Sequence, residues 1–145
     1  MQGTTGQLFS IQDDMEGVIL QVGDISGEPI LQVNSNGGIY INSSTNYGLT
    51  SNSTIYSIDS SGGNAFYFDY SVSEISTGGM RAGTIICISD GSNVEFTDTS
   101  TADLISSTNE ISFDIGISGS NILLYSLISS GEWDVRVASR TIGYI

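Results

Sequence analysis

Two patterns of apolar residues divide this chain. Over the first 41 residues, apolar four-residue blocks recur at a spacing of 11: Leu8-Phe9-Ser10-Ile11, Ile19-Leu20-Gln21-Val22 and Ile30-Leu31-Gln32-Val33. The connectors between them, residues 12–18 and 23–29, place Asp and Gly where a chain reverses direction. A further turn, Asn34-Ser35-Asn36-Gly37-Gly38, leads into Ile39-Tyr40-Ile41. A strand-turn unit this short exposes apolar side chains on both pleat faces and leaves edge backbone groups unpaired. Such units become stable when equivalent strands of neighbouring chains bury the same positions together. The pattern therefore predicts an intertwined oligomeric stalk, with Leu8, Phe9, Ile11, Ile19, Leu20, Val22, Ile30, Leu31, Val33, Ile39 and Ile41 in the intersubunit core. The competing arrangement is one meandering sheet within a single chain.

Residues 42–53 are polar and low in complexity, which predicts a connector and a division into a stalk over 1–50 and a second domain over 51–145. From residue 54 onward the alternation lengthens. Ile111-Ser112-Phe113-Asp114-Ile115-Gly116-Ile117-Ser118 puts its apolar residues on one face of a strand, and Phe66, Phe68, Tyr70 and Val72 form a second such row. Trp133, Val135 and Val137 form a third. Further strands are predicted over 54–58, 82–89, 93–97 and 121–129, separated by Gly-containing turns. Asp90-Gly91 suits a hairpin because it tolerates positive φ. The fold expected is all-β: an N-terminal intertwined strand-turn repeat followed by an antiparallel β-sandwich or jelly roll.

Composition sharpens this picture. With 18 Gly, one Pro and 13% charged residues, the polar surface must be built from Ser, Thr, Asn and Gly. Sixteen acidic residues against three basic ones give a formal charge of -13, which repels phosphate backbones and anionic lipid. Nucleic acid and membrane partners are not expected. The first residues lack a basic segment followed by an apolar stretch, and no run approaches the roughly 18 apolar residues of a spanning helix. A soluble protein made in a cytoplasm is the expectation.

The chain has no His and no Lys, so imidazole bases, imidazole metal ligands and Schiff-base amines are missing. Cys87 lies in the apolar run Ile85-Ile86-Cys87-Ile88 and reads as a core residue. A carboxylate pair is the remaining catalytic route, with Asp69, Glu74, Glu95, Asp98, Asp114 and Asp134 as its candidates. Asp69 and Asp114 fall between apolar residues, where a solvated face accounts for them. No segment has calcium-loop spacing, although Asp13, Asp14, Glu16, Asp24 and Glu28 would recur as rings in a trimer. Arg81 reads as a loop residue and Arg136 as outward-facing; with Arg140 they suit ion pairs better than a phosphate patch. Tyr47, Tyr56, Tyr67, Tyr125 and Tyr144 are candidate sugar-stacking residues. No enzyme activity, catalytic residue, cofactor or bound metal is expected.

Two stretches resemble proteins of phage particles. The segment running from Gly6-Gln7-Leu8-Phe9-Ser10-Ile11 through Asp24-Ile25-Ser26-Gly27-Glu28-Pro29 to Gly38-Ile39-Tyr40-Ile41 resembles a repeat of fibres and other appendages of marine and freshwater phages, including cyanophages. That resemblance implies an intertwined trimeric stem. The second half is similar to a phage virion module through Ala65-Phe66-Tyr67-Phe68-Asp69-Tyr70-Ser71, Met80-Arg81-Ala82-Gly83-Thr84, Glu95-Phe96-Thr97-Asp98-Thr99-Ser100-Thr101 and Glu132-Trp133-Asp134-Val135-Arg136-Val137. Tail fibres usually add an attachment region and a long shaft, so a chain of 145 residues is expected to be a capsid decoration (cement) or head-fibre protein. The partners implied are two further copies of the chain and the major capsid protein or another virion protein. A tail-fibre tip that binds host surface glycan is the alternative. Either reading places the protein on the outer surface of the particle, assembled in the host cytoplasm.

Overall fold

Each repeated apolar block forms a strand. In the computed structural model, which describes residues 9–11, 18–23, 29–34, 39–41 and 43–142, these are β1 (Phe9–Ile11), β2 (Val18–Gly23) and β3 (Pro29–Asn34), followed by β4 (Ile39–Ile41). Every one pairs antiparallel with its neighbour in sequence, giving a four-stranded sheet in the order β1-β2-β3-β4. Within one chain the repeat is therefore a meander. Leu8 lies outside the described residues.

The remaining strands belong to a second compact unit, Ser44–Ile145, distinct from the first, Met1–Ser43. They are β5 (Ser43–Leu49), β6 (Ser53–Asp59), β7 (Ala65–Glu74), β8 (Met80–Ser89), β9 (Val94–Ser100), β10 (Ile111–Ser118), β11 (Asn121–Ile128) and β12 (Trp133–Ile142). Three strands form one sheet, β10-β11-β6, and five form the other, β5-β12-β7-β8-β9, with all determined pairings antiparallel. The core lies between them. Phe66, Phe68, Tyr70 and Val72 of β7, Ile85 and Cys87 of β8, and Trp133, Val135 and Val137 of β12 meet Ile111, Phe113 and Ile115 of β10 and Ile122 and Leu124 of β11. Period-two alternation accounts for this, since it delivers every second residue to the same face. Three strands on five make a sandwich.

Two turns show why glycine stands where it does. Ser118 pairs with Asn121, so Gly119-Ser120 is a two-residue hairpin turn, and Gly119 at φ 61° takes the positive-φ position of a type II′ turn. The β8–β9 connection spans residues 90–93, longer than a two-residue turn. Asp90 accepts hydrogen bonds from the backbone N–H groups of Ser92 (2.8 Å) and Asn93 (2.6 Å). These bonds, with one from the Asn93 side chain as the largest cause, hold the Asp90 carboxyl at about 2.

The structure corrects three expectations. Residues 43–49, read as part of a connector, are strand β5 at the edge of the five-stranded sheet. A polar edge strand has no apolar period to show, because few of its side chains reach the core. Its local anchors are polar: Ser44 Oγ and Asn46 Nδ2 both donate to the Ile55 carbonyl, each at 3.0 Å. Arg81, read as a loop residue, lies in β8 and donates from Nη2 to the Ile111 carbonyl at 3.1 Å. Of the tyrosines read as exposed, Tyr56, Tyr67 and Tyr125 are half-buried and Tyr144 lies outside the described residues. Tyr56 packs edge-on to Phe68 at 6.0 Å and shares a 2.9 Å hydrogen bond with Ser139.

Candidate functional site

The β1–β4 sheet presents the more distinctive surface. Antiparallel pairing opposes Leu20 to Val33 and Val22 to Leu31, so these four apolar residues share one face. The same rows continue in the backbone register to Ile11 and Phe9 of β1 and to Ile39 and Ile41 of β4. Gln21 and Gln32 meet on the opposite face, where Gln32 Nε2 donates to Gln21 Oε1 at 3.2 Å. Ile19 and Ile30 fall at the two register shifts of the β2–β3 pairing, and Ile30 is exposed. Leu20, Val22, Leu31 and Val33 are only half-buried. Their shared row is an apolar surface left partly open to solvent.

The sandwich carries an ordered outer face on its five-stranded sheet. Register aligns Ile142, Ala65, Ile88 and Glu95 in one row, then Arg140, Tyr67, Ile86 and Thr97, then Ala138, Asp69, Thr84 and Thr99. Arg140 sits 4.9 Å from the centre of the Tyr67 ring and donates to Asp69 through Nε at 3.0 Å. Asp69 also accepts from Thr84 Oγ1 at 2.7 Å. The Arg140 hydrogen bond holds the Asp69 carboxyl below the usual carboxylate range, against the opposing effect of burial. Beside this polar line Ile86, Ile88 and Ile142 stand exposed. Tyr47 on β5 is 68% exposed and the most accessible of the candidate tyrosines among the described residues.

The candidate acids are dispersed among structural tasks. Asp98 accepts from the Tyr70 hydroxyl at 2.9 Å, and Asp134 accepts from the Gly48 N–H at 3.0 Å. Asp114 accepts from the Ile115 N–H, and Glu95 lines a shallow groove with Ile88, Asp90 and Val94. Among the described residues no three acidic or Cys side chains gather as a metal site. The rings expected from Asp13, Asp14, Glu16, Asp24 and Glu28 lie outside the described residues. Cys87 is buried in the core, and burial pushes its thiol up to about 11.

Glu74 is the most constrained carboxylate. It ends β7 with 6% of its surface accessible and anchors the following turn by accepting from Ser76 Oγ at 2.8 Å and from Thr77 N–H. A third bond comes from the Glu132 N–H at 3.4 Å. The Thr77 bonds, aided by Ser76, hold its carboxyl at about 2. A depressed carboxylate stabilises the fold above its unfolded pKa and loses that effect as pH falls through the folded one. Glu74→Gln is therefore expected to lower the melting temperature at pH 7, with the gap to wild type closing between about pH 4.5 and about pH 2. A pH-independent gap in thermal melts would show that the charge is not what holds the turn.

Sequence reasoning missed the exposed aliphatic residues of the sandwich. Ile86 and Ile88 belong to a run that reads as wholly buried, yet they are the outward members of an alternating strand. Leu104 and Ile105, in the loop between β9 and β10, carry no periodicity that would have marked them.

No protein family matches this chain, and the comparison with curated proteins returns no match. Among solved structures it is similar to the tailspike protein of Acinetobacter phage vB_ApiP_P1, at 17% identity and a TM-score of 0.39 over 70% of this chain and 20% of the tailspike. It is also similar to the tailspike protein of Acinetobacter baumannii phage AM24, at 9% identity and a TM-score of 0.38 over 72% of this chain and 26% of that one. The chain thus spans about a fifth to a quarter of the length of these tailspikes. Among the described residues no helix is long and apolar enough to cross a membrane.

Proposed function

We propose that this chain is a non-enzymatic structural protein of a phage virion, a homotrimeric capsid decoration or head-fibre protein that binds and stabilises the capsid surface. The observation that carries the proposal is the β1–β4 sheet, whose apolar face is left half-buried by its own chain. Identical copies are the simplest cover, because a symmetric oligomer buries the same apolar positions of every chain together. Trimerisation joins three sandwiches into one object, and contacts repeated by symmetry clamp a capsid without chemistry. The resemblance of residues 6–41 and 65–137 to phage appendage modules supports the same reading. The formal charge of -13 suits a protein displayed at high density and disfavours nucleic acid or membrane as partners.

One observation favours the alternative of a tail-fibre tip that binds host glycan: Tyr47 stands largely exposed on the edge strand β5, placed for stacking on a sugar ring. The discriminating experiment is the native mass by sedimentation or mass photometry, followed by mixing with undecorated capsids and with host polysaccharide. A trimer that binds capsids supports decoration. A trimer retained only by polysaccharide shifts the reading to the tail fibre, and a monomer overturns assembly through β1–β4.

A further inference from the structure

We infer that the outer face of the five-stranded sheet carries a sugar-binding groove, in which Arg136 takes the carboxylate of one acidic sugar residue and the hydroxyls of Ser71 and Ser73 take its ring hydroxyls. The groove measures about 370 Å³. Register builds it. Trp133, Val135 and Val137 are buried, so Arg136 stands outward and exposed between them. It lies opposite Ser71, whose other neighbour is Ala82, and Thr101 closes this row by exchanging bonds with Ala82. The next row runs from Ser73 to Met80 and on to Leu104.

Charge sets this groove apart from the rest of the surface. On a chain with sixteen acidic and three basic residues, its lining includes Arg81 and Arg136, two of the three arginines, and no acid. The nearest acids in sequence are committed elsewhere. Asp134 accepts from the Gly48 N–H at 3.0 Å, and Asp103 accepts from the N–H and the hydroxyl of Thr108. Arg81 donates to the Ile111 carbonyl at 3.1 Å. Among the described residues, by contrast, Arg136 makes no ion pair or hydrogen bond, and the hydroxyls of Ser71 and Ser73 have no partner.

The unused groups specify a ligand. A guanidinium holds a carboxylate through two parallel N–H donors. Hydroxyl side chains, which both donate and accept, match the hydroxyls of a sugar ring. Met80 and Leu104, 37% and 61% accessible, offer an apolar wall to the ring's C–H face. That wall is held in place. Leu104 and Met80 exchange two backbone bonds at 3.0 and 2.9 Å, and Ser106 Oγ donates to Thr77 Oγ1 at 2.8 Å, with Ile105 between them at φ 73°. An acidic side chain of another protein would engage Arg136 and leave both serines idle. The volume lies near the lower end of small-molecule sites, about 300–1,000 Å³, which suits one sugar residue. A charge of -13 opposes a dense polyanion, so the ligand is an isolated acidic sugar within an otherwise neutral glycan.

The groove belongs to the sandwich and stands equally for a decoration protein and a fibre tip; for the tip it adds the class of sugar. Isotope-labelled protein is titrated with the methyl glycosides of glucuronate, galacturonate and N-acetylneuraminate, with those of glucose and galactose, and with acetate, following backbone amide shifts. The expected result is that at least one acidic glycoside saturably shifts the amides of Ser71, Ser73 and Arg136, with the neutral glycosides at least about ten-fold weaker. Arg136→Gln is expected to melt as wild type does and to lose at least about ten-fold of that affinity, and Arg136→Lys to recover only part of it. Three acidic glycosides that leave these amides unmoved overturn the site, as does Arg136→Gln that binds them as well as wild type. Acetate that binds as tightly as the acidic glycosides overturns the sugar assignment. None of these results bears on the virion reading, which rests on the mass of the native protein and its binding to capsids.

Discussion

Aspartate in place of Leu20 or Leu31 is expected to convert the proposed trimer into single chains while leaving the sandwich folded. Both residues sit on the apolar face of the β1–β4 sheet, half-buried within one chain, where Leu20 opposes Val33 and Leu31 opposes Val22. Fully burying an exposed leucine is worth about 1.5–3 kcal/mol, and these two, half-buried already, have about half of that to gain. A symmetric trimer loses that contribution three times, so each substitution removes roughly 2–5 kcal/mol before the penalty of confining a carboxylate without a partner. That loss corresponds to about two to three orders of magnitude in association. Gln21→Ala supplies the control, because Gln21 lies on the opposite face and gives up only its 3.2 Å bond to Gln32. Sedimentation of the three proteins decides the matter. A Leu20→Asp or Leu31→Asp chain that still sediments as wild type would remove this face from the interface.

The strands that could be read in the sequence are those whose alternation is enforced by a core. Residues 111–118 are strand β10 with the bounds their pattern gives, because Ile111, Phe113 and Ile115 are buried and the residues between them are not. Strand β7 runs two residues beyond Val72 because Glu74, polar by type, occupies an inward position and is satisfied there by backbone and hydroxyl donors. Strand β5 escaped because an edge strand that buries little shows no apolar period. The same limit applies to assembly: the repeat spacing shows which residues are equivalent, whereas the in-chain meander and an intertwined trimer present the same apolar positions to any partner.

Function was less legible than fold, for a related reason. The acids that looked available for chemistry could be sorted only once their neighbours were known, since Asp69 is committed to Arg140 and Thr84 while Asp98 is committed to Tyr70. Conversely, Leu104 and Ile105 look unremarkable in the sequence, because backbone strain is a property of three-dimensional clamping. Nothing in Asp103-Leu104-Ile105-Ser106 announces that both flanking residues will be tied to β8 and to the turn before it. Exposed apolar residues of this kind are found by what the core leaves out.

Gly83→Ala is expected to be among the most damaging single changes in the sandwich, although it adds one methyl group. Gly83 in β8 pairs with Tyr70 on one side and Ser100 on the other, and the Tyr70 ring crosses over it so that its hydroxyl reaches Asp98 on β9. A Cβ at position 83 would stand 2.6 Å from the Tyr70 oxygen and 2.7 Å from the Thr99 carbonyl oxygen. Neither can yield freely. Tyr70 is buried beside Phe113, with ring centres 4.5 Å apart, and Thr99 is held by its pairing to Thr84. Burial, and then the hydrogen bond to Asp98, raise the Tyr70 pKa, so the phenol remains a proton donor to the carboxylate through neutral pH. Overpacking of this kind costs about 1–3 kcal/mol, and losing a hydrogen bond to a charged group adds about 1.5–3 kcal/mol. Together these approach the whole stability of a marginal domain, which begins near 5 kcal/mol. Urea denaturation followed by circular dichroism reads the effect as a fall in the midpoint at unchanged slope. A midpoint within error of wild type would mean that Tyr70 does not cross Gly83 to reach β9, and that the edge strand is held by its ladder alone.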